Sequence, residues 1–199
     1  MRVALIVVAF SLMLSAAQQQ PAESERDTNK SAPPVWQKEP DQFKGVSFDA
    51  TSAEAKKAAS FSFCQNELAI PGLPQPVGQQ TCILRIDVTE HYSIVCYFKF
   101  QHDRLQQISG DFPSKYYEEV RGLFITKYGD PLATAHENVQ TNAGAVYEQE
   151  SLTWRGKKIC LFLSRFGDSI NDGSISFIPT AALEEQEKKS NAQKSKALQ

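Results

Sequence analysis

Residues 82–131 read CILRIDVTEHYSIVCYFKFQHDRLQQISGDFPSKYYEEVRGLFITKYGDP. Two runs alternate with a period of two. Cys82, Leu84, Ile86 and Val88 share one face of the first, and Ile94, Cys96, Phe98 and Phe100 share one face of the second. That spacing predicts half-buried β-strands. A turn at Gln101-His102-Asp103 leads to a third strand, Arg104–Gly110. The pattern then changes period. Tyr117, Val120, Phe124 and Tyr128 recur at helical spacing, so a helix follows Phe112-Pro113-Ser114 and lays this stripe on the sheet. Gly129 stands where a left-handed C-cap belongs, and Pro131 stops the helix.

The same grammar extends in both directions. Upstream, Gly45-Val46-Ser47-Phe48 reads as a short strand. Thr51-Ser52-Ala53-Glu54 has the form of a capping box and opens an Ala-rich helix reaching about Ser62. Downstream, three more strands are expected at about 145–154, 158–166 and 174–178, joined by turns at 155–157 and 167–173. Short connections favour antiparallel neighbours. The expected fold is α+β: two α-β-β-β units sharing one twisted antiparallel sheet, with the helices on one face.

The start of the chain, MRVALIVVAFSLMLSAAQQQ, reads as an export signal. Arg2 precedes an apolar run of 12 residues, Val3–Leu14, and Ser15-Ala16-Ala17 forms a small-residue cleavage site. The run falls short of the roughly 30 Å of hydrocarbon that a spanning helix must cross. The expected organisation is therefore a signal peptide (1–17), a disordered linker (18–42), an α+β domain (43–180) and a charged tail (181–199), helical at 181–189. The linker carries a glycosylation sequon at Asn29-Lys30-Ser31. Cleavage leaves 20 basic and 23 acidic residues. That balance argues against a nucleic-acid or anionic-membrane partner, which would need a concentrated basic patch, and no later segment suggests membrane insertion. The protein is expected to be periplasmic or secreted.

Export makes disulfides expected for the four cysteines, Cys64, Cys82, Cys96 and Cys160. Cys64 and Cys82 flank a Pro/Gly-rich loop, Asn66–Thr81, and are the favoured pair. Closing such a loop contributes roughly 3 kcal/mol in the chain-entropy account. Cys96 and Cys160 lie in strand-like runs and read equally as buried thiols or a second bridge.

The Gly-Val-x-Phe lead-in at 45–48, the Thr-Ser-x-Glu cap at 51–54 and Lys127-Tyr128-Gly129-Asp130-Pro131 resemble two groups of small exported α/β modules. These are the small lipoprotein subunit of the outer-membrane β-barrel assembly machinery and the tandem-repeat β-lactamase inhibitor proteins. The resemblance covers about 43–180 at the level of pattern. It implies a binding or scaffolding module and no catalytic residues. The chain departs from the first group in lacking a lipobox cysteine.

No catalytic constellation emerges. His91, His102 and His136 each adjoin an acid (Glu90, Asp103 and Glu137) and all fall in expected turns or loops. His91 and His102 sit at opposite ends of one strand, more than about 20 Å apart, too far to share a metal. Residues 167–173 superficially resemble a calcium loop. Counting from Asp168, however, the third position is Ile170 and the twelfth is Pro179, where oxygen ligands are required. No nucleophile elbow, phosphate-binding Gly loop or His-Glu-x-x-His is present, so no cofactor or metal is expected. The informative surface is the second face of the sheet, where Arg85, Val95, Tyr97, Lys99, Phe162 and Phe166 fall together. Aromatic residues mixed with Arg and Lys have the composition of an interface. The expected function is a non-enzymatic binding or interaction module with a protein partner or a second copy. One alternative is a small extracytoplasmic hydrolase with a loop-built site, using His136 with Glu137, or His91. The other is a structural envelope homodimer.

Overall fold

The computed structural model describes residues 36–66, 78–141 and 143–197. The expected signal peptide, the sequon at Asn29 and most of the expected linker lie outside these residues. The elements are β1 (Gln42–Phe43), β2 (Val46–Ser47), α1 (Ser52–Ala58), β3 (Phe63–Asn66), β4 (Gln79–Asp87), β5 (Ser93–Gln101), β6 (Arg104–Pro113), α2 (Tyr117–Tyr128), β7 (Ala133–Gln140), β8 (Val146–Arg155), β9 (Ile159–Ser164), β10 (Asp172–Pro179) and α3 (Thr180–Ala197). Among the described residues the fold is α+β, with three helices and one large antiparallel sheet. Its eight strands run in the order β3-β4-β5-β6-β10-β9-β8-β7.

Each of the first two helices is followed by four strands, where three were expected. Two strands carried no hydrophobic alternation to reveal them. β3 lies in what reads as the end of a helix and the start of a loop. β7, ATAHENVQ, is exposed along nearly its whole length. The strand at 45–48 shortens to β2 and pairs only with β1, outside the large sheet.

The middle of the sheet joins the two halves. β6 and β10 pair antiparallel over six residue pairs, from Asp172↔Pro113 to Phe177↔Ile108. Register carries one apolar row across six strands: Cys82, Phe98, Ile108, Phe177, Leu161 and Trp154. All six are fully buried. Two glycines make room in this seam. Ile175 side-chain atoms lie 2.9 Å from where a Cβ on Gly110 would stand, and the Phe112 ring occupies the space of one on Gly173.

The helices form as their caps require. Thr51 closes a reciprocal capping box with Glu54, and α1 buries Ala55. In α2 the buried residues are Tyr117, Val120, Phe124 and Tyr128, the stripe read from the sequence. Phe124 and Tyr128 both meet the ring of Phe177. Gly129 ends the helix at φ 81°, a conformation glycine adopts without a Cβ penalty, and its N–H bonds Ile125 O at 2.8 Å.

Residues 36–41, ahead of β1, pack against the rest of the fold. The buried Trp36 indole donates to Tyr128 O at 2.7 Å. The Glu39 carboxylate accepts backbone N–H bonds from Lys157, Lys158 and Ile159 in the β8–β9 turn. Residues 36–41 thus strap the end of α2 to that turn. At the other end, the charged tail is helical from Thr180 to Ala197. No helix among the described residues is long and apolar enough to cross a membrane.

Cys64 and Cys82 are bridged and sit directly opposite each other in the β3–β4 ladder, with Cα atoms 4.0 Å apart. Cys96 and Cys160 are buried free thiols. Register sets them on opposite faces of the sheet, Cys96 with Ile175 and Cys160 with Ile178, so they cannot meet. Burial pushes the Cys96 thiol up to about 12 and raises that of Cys160.

Two outcomes follow from this packing. Without reductant, a thiol-specific chromophore titrates no cysteine in the native protein and two after denaturation; rapid native labelling would contradict the burial. Gly173→Ala drives a methyl into the Phe112 ring and lowers stability by about 1–3 kcal/mol, read from the urea midpoint.

Candidate functional site

Strand alternation sorts the sheet into two faces. One carries Phe98, Phe177, Leu161 and Trp154 and receives α2. On the other, register aligns Phe63, Ile83, Tyr97, Ser109, Ser176, Phe162 and Thr153 across seven strands. A second row runs Arg85, Val95, Asp111, Ser174, Ser164 and Ser151. The structure therefore brings Arg85, Val95, Tyr97, Lys99 and Phe162 onto one face. Phe166, just past β9, joins them through an edge-on contact with Tyr147 at 6.0 Å.

The face has relief. Tyr97 and Phe162 are separated by three strand spacings, roughly 14 Å. The floor between them is made of Ser109 and Ser176. Gln107 donates to Ser176 Oγ at 2.9 Å, and the hydroxyls of Ser151 and Ser164 bond at 3.2 Å. Arg85 is held by Asp87 and Ser93 at 3.2 and 3.0 Å. At the β7–β9 end, an open depression is lined by Val139, Gln149, Phe166 and Ile170. Gln149 shapes it by bonding the backbone of Phe166 in both directions, each at 2.8 Å.

Tyr97, Val95, Phe162 and Phe166 are half-buried, and Arg85 and Lys99 are exposed. Sequence reasoning missed Phe63, 52 % exposed, and Tyr147, 38 % exposed, on the same face. Phe63 was hidden because β3 had not been recognised as a strand. Tyr147 was within reach of period-two counting along 145–154. Cys160 is not part of the open face, since it is buried beside Thr180 at the start of α3.

One carboxylate on this face is held at a cost. Asp111 is exposed, yet partial desolvation, with Asp168 and Asp172 nearby, raises its pKa from the usual carboxylate range, an effect that solvent screening keeps small. The charged form is thus disfavoured in the folded state. The penalty is present above the folded pKa and vanishes as pH falls through the carboxylate range.

The histidines do not converge. His91 and His102 occupy turns, as expected. His136 lies on β7 and not in a loop. Its Nδ1 is 3.2 Å from Glu148 and its Nε2 is 3.7 Å from Glu150. Glu137, its expected partner, is one residue along the strand and projects to the opposite face. Glu150 is also held by the Tyr117 hydroxyl at 2.6 Å and by Arg121 Nε at 3.1 Å, both from α2. Burial and this bond push the Tyr117 phenol up. A carboxylate shared by two helix side chains and a strand histidine anchors α2 to the sheet. Among the described residues, no three His, Cys, Asp or Glu side chains group as a metal site.

Asp111→Asn removes the penalised charge. It is expected to raise the thermal midpoint at neutral pH, with the gain disappearing as pH falls through the carboxylate range. A midpoint unchanged at every pH would show that Asp111 is not under charge strain.

No family model matches the chain, nor does any curated protein or solved structure, so the resemblance to exported modules rests on the helix-boundary pattern alone.

Proposed function

We propose that this protein is an extracytoplasmic, non-enzymatic interaction module whose binding surface is the sheet face opposite α2. In this reading the two helix-led halves share one sheet, with both helices on the covered face. The observation that carries it is the composition of the open face. A sheet wetted on one side normally presents polar residues there. Here Phe63, Ile83, Tyr97, Val95 and Phe162 lie in two registered rows, with Arg85 and Lys99 at their margins. Half-buried aromatics flanked by cations, on a relief floored by serines, suit a protein partner better than a small ligand, which calls for a concave and mostly apolar pocket.

Two further facts support the reading. The Cys64–Cys82 bridge accords with an oxidising compartment. The polar side chains of the face are tied to one another in the plane of the sheet, so the surface is preformed and loses little entropy on binding.

The test is a paired substitution. Tyr97→Glu with Phe162→Glu should leave the circular dichroism spectrum unchanged and weaken partner recovery from native extract more than tenfold, the scale of losing central aromatic anchors. Undiminished recovery by the folded variant would remove the open face from the interface. Light scattering on the same pair distinguishes a homodimer, which would fall to monomer on substitution.

A further inference from the structure

The two edges of the large sheet are built differently. β3 is four residues long and is clamped to β4 by the Cys64–Cys82 bridge. β7 is eight residues long and pairs with β8 in unbroken register, with no described strand on its outer side. Native sheets blunt such edges with Lys, Pro, a bulge or a short strand. β7, ATAHENVQ, is neither short nor bulged and has no Lys or Pro; the charge it carries is the carboxylate of Glu137.

The phase of its free backbone follows from the hairpin. Thr141 N–H bonds Ala145 O at 2.9 Å, extending the β7–β8 pairing by one residue. Bonded and non-bonded pairs alternate along an antiparallel ladder. Odd residues of β7 therefore turn their N–H and C=O groups to β8. Thr134, His136 and Asn138 turn theirs outward, as a template for one more strand.

The surrounding charge selects the occupant. No Lys or Arg occurs between Lys127 and Arg155. Within that span Glu137 lies on one face of β7, and Glu148, opposite Asn138, lies on the other. Glu150 is already paired with Arg121. An added strand thus meets Glu137 on one face and, on the other, Glu148, whose contact is with His136 on β7 itself. We infer that β7 is a strand-addition site for an extended, Lys- or Arg-bearing segment of a partner protein. A second copy of this chain would bring the same carboxylates and gain no opposite charge. The site is independent of the open-face reading, because it uses backbone groups at the sheet edge.

The probe is a fluorescent ten-residue peptide alternating Lys and Val, with a Glu–Val peptide as comparison, titrated against the full chain by anisotropy. The Lys–Val peptide should bind saturably and more tightly than the Glu–Val peptide. Asn138→Pro deletes an outward N–H while sparing the β8 ladder, and should weaken binding about tenfold, the equivalent of roughly one net hydrogen bond. Glu137→Lys with Glu148→Lys should invert the peptide preference, and Tyr97→Glu with Phe162→Glu should leave it unchanged. In wild type, the peptide should slow amide exchange at His136 and Asn138 but not at Glu137; this readout stands even if the proline variant fails to fold. Absence of binding, an unchanged preference after charge reversal, or uniform protection along β7 would overturn the proposal. So would a concentration-dependent dimer abolished by Asn138→Pro, which would make the occupant a second copy.

Discussion

The β6–β10 ladder is the constraint on which the rest of the structure depends. Each half of the chain is a run of four strands connected in order, and each half alone would leave its last strand as an open edge. Pairing those last strands antiparallel turns two edges into the centre of one sheet. It also sets Ile108 beside Phe177, so a single apolar row runs from Cys82 to Trp154. The close fit depends on Gly110 and Gly173, whose missing side chains give their space to Ile175 and Phe112. A residue larger than glycine at either place would push the halves apart at the point where the core is continuous.

Once the seam is closed, the remaining elements have little freedom. The aromatic stripe of α2 meets Phe177, and the hydroxyl of its first member, Tyr117, bonds Glu150 together with Arg121. Leaving Glu150 buried without these donors would cost more than the bonds contribute, so the contact fixes the helix in register as well as in place. The strap at 36–41 works in the same way. Glu39 gathers three N–H groups of the β8–β9 turn, and Trp36 caps the end of α2. Polar contacts here position elements that apolar contact has already brought together.

What could be read from the sequence follows the same physics. β4, β5 and α2 were legible because each buries one side, and one-sided burial leaves a period in the residues. The capping box at Thr51 and the C-cap at Gly129 were legible because backbone groups at helix ends demand particular residue types. The Cys64–Cys82 pair was legible from the loop it closes. β7 was not, since a strand exposed on both faces at the margin of a sheet has no apolar side to alternate. β3 was hidden for a related reason: it is four residues long, and its pairing is specified by the bridge and the β4 ladder more than by its own composition. His136 was misplaced with β7. Once the strand is recognised, alternation removes Glu137 and the β7–β8 register supplies Glu148 and Glu150 in its place. Arg85, Val95, Tyr97, Lys99 and Phe162 could be anticipated on the open face because they fall between core positions of recognised strands, and Phe166 by continuing the same alternation. Phe63 could not, because its strand had not been found.

The seam also explains how a sheet of this size can leave the rows through Tyr97 and Val95 open on the face where α3 starts beside Cys160. Burial of the row through Phe98, Ile108 and Phe177 is complete without any contribution from the opposite side, so stability does not require that side to be apolar or covered. Residues there are free to answer to something other than folding. Two sit at a cost to the isolated domain: Phe63 is half in water, and the exposed Asp111 has its pKa raised by partial desolvation and the nearby Asp168 and Asp172. Side chains kept at a cost to stability, on a surface the core does not need, are what the proposed interaction at this face would account for.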